Sequence, residues 1–397
     1  MDIRLFLVYQ WGMSLITNQK DLKSLCTRLK KAEFITVDTE FIRERTYWSR
    51  LCLIQVAGPD DAVAIDPLAE EIDLAPLYDI FLDKKVLKVF HACRQDLEIF
   101  FKEMDGKLPA PIFDTQVAAM VCGFGEQVGY EALVGALLKK QLDKSSRFTD
   151  WAQRPLTSKQ LKYALGDVTH LRHIYEKLND KIEKHKRGAW IKEEHKKLID
   201  KENFITRPEE AWERIKIPTH KPRALGVLRE VAAWRENLAQ SADVPRGRIL
   251  KDDALAEIAL HAPTTQAALG KMRGIQQGFA DSEKGGQLVE AVKRGLETPE
   301  KDLPKREPRQ HFPPGLGPTI DLLRVLLKLK AEEHEVASKL LASAADLELI
   351  AAYGKEAEVP AMSGWQFKVF GKEALELREG KLALAIQDGK LKLAKTD

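Results

Sequence analysis

The chain has 397 residues, 44% of them hydrophobic and 31% charged. That length sets a prior of two to three domains at about 150 residues each, with ample apolar content for real cores. Lys and Arg number 63 against 60 Asp and Glu, a net +3, which excludes a polybasic tail or an acidic disordered chain as a description of the whole. Collagen-like, low-complexity and disulfide-scaffold classes are excluded as well.

The first 13 residues are mildly apolar, carry an early acid (Asp2) and lack a small-residue cleavage site. They read as a poorly defined leader rather than a signal peptide, with Met13 an alternative start. The four cysteines, Cys26, Cys52, Cys93 and Cys122, form no CxxC pair, which fits a reducing cytoplasm. No stretch approaches the roughly 18 apolar residues that a bilayer span requires, so no membrane partner is expected.

Three short strands are predicted over 34–41, 51–57 and 62–65, with Gly58-Pro59-Asp60-Asp61 turning between the last two. Val86–Phe90 is a further buried run, followed by a helical pattern over 95–102 and a break at Pro109 and Pro111 before Ile112-Phe113. Helical periodicity then dominates over 115–122, 130–138 and 158–178, and in an amphipathic stretch through Leu198. Strands first and helices interleaved later predict a mixed sheet with helices on its faces.

From about residue 205 the pattern predicts helices only. Leu255–Ala259 and Leu347–Ala351 echo each other, as do Gly274-Ile275 and Gly364-Trp365, about 90 residues apart, which suggests a duplicated helical module. Residues 297–318 hold six prolines and read as a linker. The expected division is 1–200, 205–296, the linker 297–318, and 319–397.

The first chemical signal is Val37-Asp38-Thr39-Glu40-Phe41. In a strand, side chains at i and i+2 share a face. Asp38 and Glu40 would then repel by roughly 2–4 kcal/mol at an effective dielectric near 20, so the pair needs a cation or a proton. Asp96, in the run His91 to Glu98, sits at the start of a predicted helix just after a buried strand. Taken alone, it reads as an acid favoured by the helix dipole, and His91 as a structural histidine. Thr157 to Gln160 has capping-box spacing, which places Tyr163 and Asp167 at i and i+4 on one helix face.

Together these supply four hard oxygen ligands and one hydroxyl. Hard ligands select Mg²⁺ or Mn²⁺. Two such ions bracket a scissile phosphate, one generating hydroxide and the other stabilising the leaving oxygen, so activity should rise toward alkaline pH. No P-loop pattern appears, so no NTP is expected as a partner.

At this point Asp38-Thr39-Glu40, His91-x4-Asp96-Leu97-Glu98 and Tyr163-x3-Asp167 resemble the three exonuclease motifs of the DEDD superfamily, tyrosine subgroup. The extended run 37–47, with Asp150-Trp151-x2-Arg154-Pro155-Leu156, is similar to the ribonuclease D family, and the helical units resemble HRDC domains. The resemblance implies a ribonuclease-H-like mixed α/β nuclease domain followed by two all-α HRDC-like modules, the second divergent. It implies 3′→5′ removal of nucleotides from RNA, including trimming of tRNA precursors with 3′ extensions. Asp38, Glu40, Asp96 and Asp167 would hold two divalent ions, and Tyr163 would orient the attacking water.

For the RNA, Phe41 and Leu97 are candidates for stacking or wedging against the last bases, with core packing the plainer account of both. Arg43, Arg45, Arg50, Arg147 and Arg154 are candidates for phosphate contacts. Residues 213–251 carry nine Lys/Arg against four acids, whereas 319–397 carry twelve against thirteen. Arg246 and Arg248 are therefore expected to help the first helical module grip RNA, while the second braces the architecture. A monomer is favoured. Two other readings stay open on sequence alone: a 3′→5′ DNA exonuclease of repair, and a non-catalytic nucleic-acid-binding scaffold.

Overall fold

The computed structural model of the chain describes residues 14–143, 149–306 and 312–396. Six strands form one sheet: β1 (Ser14–Ile16), β2 (Phe34–Ile42), β3 (Arg50–Ala57), β4 (Ala62–Ile65), β5 (Leu87–Phe90) and β6 (Ile112–Asp114). Their order is β1-β4-β3-β2-β5-β6. β3 and β4 form the antiparallel hairpin expected from the Gly58–Asp61 turn, with Ile54 opposite Ile65. β2 and β6 both lie parallel to β5, and β2, between β3 and β5, lies in the interior of the sheet.

The helices α1 (Gln19–Leu29), α2 (Ala75–Leu82), α3 (Arg94–Glu103), α4 (Thr115–Val121), α5 (Tyr130–Leu138), α6 (Ser158–Lys184) and α7 (Gly188–Leu198) follow in chain order. Helix α6 begins at the expected capping box, where the Thr157 hydroxyl accepts from Gln160 N–H and the Gln160 side chain accepts from Thr157 N–H. It runs past the expected end at Leu178, because Leu178 and Ile182 continue its buried face. The Thr36 hydroxyl of β2 donates to the Val168 carbonyl at 2.8 Å, and Arg172 covers the Phe34 ring at 4.1 Å. The strand bearing the first motif and the helix bearing the third are thereby fastened together.

Beyond residue 203 come α8 (Pro222–Ser241), α9 (Arg246–Ile249), α10 (Asp252–His261), α11 (Gln266–Leu269), α12 (Gln277–Ala280) and α13 (Glu283–Glu297). They enclose a core that includes Leu228, Val231, Leu255, Ile258, Leu288 and Val292. Helices α8 and α13 approach so closely that a Cβ on Gly295 would stand 2.5 Å from the Val227 Cα, a crossing only glycine permits. The C-terminal region holds α14 (Gly317–Glu333), α15 (Ser338–Leu341), α16 (Ala344–Tyr353), α17 (Gly364–Gln366) and α18 (Lys372–Arg378) around a second core of Leu323, Leu326, Leu347, Ile350 and Phe370.

One expectation is corrected. Helices do not account for everything beyond 205: the chain ends in an antiparallel hairpin, β7 (Leu382–Gln387) with β8 (Lys390–Lys395). Its strands are rich in Lys and Ala, weak strand formers, and are held because Leu382, Leu384 and Leu393 lean on the second core. Ser14–Ile16 forms an edge strand paired with β4; the stretch read as a leader, 1–13, lies outside the described residues.

The described residues group into two bodies. One contains 14–40, 51–203 and 312–396; the other contains 41–50 and 204–306. In the first, the buried Arg187 guanidinium donates to the carbonyls of Val121, His334 and Glu335, and Trp190 stacks on Trp365 at 4.2 Å. These contacts join the C-terminal helices to the sheet domain. In the second, Glu236 is fully buried and receives hydrogen bonds from Tyr47, Gln240, Arg246 and Arg214. Burial alone would raise its carboxyl, but the donors, Arg246 foremost, outweigh that and hold it down at about 2.

Candidate active site

Asp38 and Glu40 project from the same face of β2, and Asp167 reaches them from α6. One carboxylate oxygen from each of the three lies within 4.8 Å of the others. Asp96 stands in the first turn of α3, 7% exposed, where its Oδ1 accepts the Thr39 hydroxyl at 2.5 Å. Thr39, between the two β2 acids, thus links the first motif to the second.

Four carboxylates converging here cannot all ionise unaided. Burial pushes Asp38 up to about 6. Burial first, then the charges of Asp38, Asp167 and Asp96, pushes Glu40 up to about 10. Asp96 is likewise driven well above the carboxylate range, by burial and then by Asp38. The donor set, all carboxylate oxygen with no sulfur, fits hard divalent cations such as Mg²⁺ or Mn²⁺. Bound cations would relieve the same repulsion that protonation relieves without them.

A cleft of about 330 Å³ opens at Asp38 and Asp167, lined also by Tyr163, His91, Tyr130 and Leu171 among others. Tyr163 sits one turn before Asp167, its ring tilted against Trp151 at 6.1 Å between centroids. Tyr130 donates its hydroxyl to the Asp167 main-chain carbonyl and packs against His91. Sequence reasoning did not single out Tyr130; it opens α5 as an ordinary amphipathic position, and only folding brings it 37 residues along the chain to Asp167.

The five predicted catalytic positions therefore meet in one place. The proposed RNA contacts fare less uniformly. Leu97 is fully buried, a core side chain. Arg154 departs from the phosphate-contact expectation: its guanidinium forms a two-pronged pair with Asp66, both arms at 2.7 Å, and donates to the carbonyls of Cys52 and Trp151. Arg246 departs from it too, since its guanidinium is committed to Glu236 and lies over the Tyr47 ring at 4.7 Å. Phe41 is half-buried; Arg43, Arg45, Arg50 and Arg248 are exposed. Arg147 lies outside the described residues. Arg248 borders a groove of about 740 Å³ in the second body, with Lys216, Lys251 and Arg273.

A family model described as 3′-5′ exonuclease matches residues 13–183, and the HRDC domain model matches 224–292. The chain is 48% identical over 370 residues to ribonuclease D of Nitrobacter hamburgensis, covering 93% of this chain and 96% of that one. It is 50% identical over 377 residues to ribonuclease D of a Jannaschia species, covering 92% and 95%. Among solved structures it resembles Escherichia coli RNase D, described as an exoribonuclease involved in structured RNA processing, with a TM-score of 0.79 and 29% identity over 92% of this chain and 98% of that one.

Proposed function

Because the chain belongs to the ribonuclease D family and is a 3′→5′ exoribonuclease, we propose that Asp38, Glu40, Asp96 and Asp167 hold two divalent ions and that Tyr163 orients the attacking water. The observation that carries this reading is the carboxylate group within 4.8 Å, with Asp96 tied to it through Thr39. Bound divalent cations supply positive charge at the scissile phosphate and ease ionisation of the water. The water oxygen bonds to the phosphorus of the terminal nucleotide as the bond from that phosphorus to the preceding 3′ oxygen breaks; a water proton ends on that 3′ oxygen, and a nucleoside 5′-monophosphate leaves.

The substrate we infer is a tRNA precursor with a 3′ extension, in a cytoplasmic setting. The four cysteines are all free and buried, and among the described residues no helix is long and apolar enough to cross a membrane. We assign RNA contacts to Phe41, Arg43, Arg45 and Arg248, exposed or half-exposed groups, in place of Arg154 and Arg246. The two helical regions follow a parallel order, a long helix, a single turn and a ten-residue helix, which supports duplication of one module. Residues 213–251 are +5 and residues 319–397 are −1, which supports RNA contact by the first module and a bracing role for the second.

The test is direct. Asp38→Asn should lower kcat at least about 10²-fold, and Tyr163→Phe should lower it by a similar factor with KM little changed. A chelator should abolish trimming of a 3′-extended tRNA precursor and Mg²⁺ or Mn²⁺ should restore it. An Asp38→Asn protein that trims at the parental rate would refute the assignment.

A further inference from the structure

The turn that delivers Asp96 is built in an unfavourable conformation. Between β5 and α3, Ala92 adopts φ +57°, a left-handed geometry that costs an alanine about 1–2 kcal/mol. Such a residue persists only where its surroundings over-determine it.

Those surroundings converge on Asp114, the last residue of β6, only 2% exposed. Its Oδ2 accepts from Cys93 N–H at 2.7 Å. Its Oδ1 accepts from Ala92 N–H at 3.2 Å, and from Gln116 and Val117 N–H at 2.7 and 3.2 Å as the N-cap of α4. The neighbouring Thr115 hydroxyl donates to the Phe90 carbonyl and meets His91 Nδ1, each at 3.0 Å. Asp114 N–H is itself anchored on the buried His195, donating to Nε2 at 2.9 Å. A helix cap needs only one oxygen. The second oxygen is spent entirely on the turn that opens α3, three residues before Asp96.

We propose that Asp114 is a positioning residue for the metal site: it clamps the strained Ala92-Cys93 turn and so fixes where α3 presents Asp96 to Asp38 and Glu40. It touches neither substrate nor metal. The inference rests on Asp96 being a metal ligand.

The two oxygens separate the roles. In Asp114→Asn, the amide oxygen can keep the three N–H groups at the Oδ1 position, while the amide NH₂ faces Cys93 N–H, donor against donor. Asp114→Ser retains an α4 cap but is too short to reach the turn. In the full-length chain, both variants should bind Mn²⁺ about 10–100-fold more weakly, read by electron paramagnetic resonance titration without RNA. Both should show lower kcat at fixed Mn²⁺ on a single-stranded RNA oligonucleotide, with KM within about twofold of the parent. Adding Ala92→Gly to Asp114→Asn removes the strain the clamp opposes and should recover part of the Mn²⁺ affinity. Parental Mn²⁺ binding in Asp114→Asn and Asp114→Ser, or a loss that Ala92→Gly leaves untouched, would reduce Asp114 to a helix cap and overturn the proposal. Asp96→Asn serves as the control: parental Mn²⁺ binding there would instead overturn the ligand assignment itself.

Discussion

Glu40, held up at about 10 by burial and by three neighbouring acids, and Asp38, held up at about 6, retain protons over a pH range in which the unfolded chain has lost them. The metal-free folded state thus binds more protons than the unfolded state, and its stability falls as pH rises from about 4 through these values. Divalent cations compete for the same oxygens and gain affinity as the protons leave. Melting curves in chelator should shift downward from pH 5 to pH 8, and the Mn²⁺-induced rise in Tm should grow over the same range. A constant Mn²⁺ increment across that range would contradict this account. Arginines separate in the same way by what their side chains touch. Arg154→Ala would strand Asp66, which is 5% exposed, and should cost about 1–3 kcal/mol while leaving the salt dependence of RNA affinity unchanged. Arg248→Glu should leave stability within about 0.5 kcal/mol and flatten that salt slope by roughly 0.7 or more. Equilibrium denaturation and binding titrations over a salt series distinguish the two.

At the scale of elements, the site depends on β2, α3 and α6 arriving at one point, and each has its own device. β2 lies inside the sheet and donates through Thr36 to α6. Helix α6 is started by the Thr157–Gln160 box. Helix α3 lacks a side-chain cap of its own and is launched from the turn held by Asp114. Thr157→Ala should lower stability by about 1 kcal/mol, read by urea unfolding, with kcat at 25 °C near the parental value, because Tyr163 and Asp167 lie one to three turns downstream of the cap. The hairpin of β7 and β8 shows the opposite case, an element with little propensity of its own, kept by the leucines that settle on the C-terminal core.

For the molecule as a whole, the net +3 conceals a division of charge. Residues 1–200 carry 31 Lys/Arg against 30 acids, four of which are the proposed metal ligands. The near balance therefore combines an acidic candidate metal site with a mildly basic remainder, and an RNA partner is compatible with it. The same division explains why single basic residues are poor guides. The +5 of residues 213–251 includes Arg214, Arg235 and Arg246, which pair with Glu236 or Asp252, leaving a smaller free basic surface than the count suggests.

The sequence by itself determined which acids and which tyrosine form the candidate site, and most of the elements around them. A D-x-E on a buried strand, an acid opening the next helix and a Tyr-x3-Asp after a capping box are local patterns, set by side-chain periodicity and cap chemistry, and they point to one site only when taken together. The β3–β4 hairpin and α5 were legible for the same reason. What only the tertiary structure decided are the contacts that periodicity does not encode. Tyr130 reaches Asp167 across 37 residues, and Asp114 reaches Ala92 and Cys93 across 22 and 21. Arg154 and Arg246 look identical in sequence to arginines free to bind phosphate, and a carboxylate distant in the chain or hidden in the core claims each. A hydrogen bond between residues far apart in sequence depends on where the whole backbone places both partners, so neither partner's local pattern can announce it.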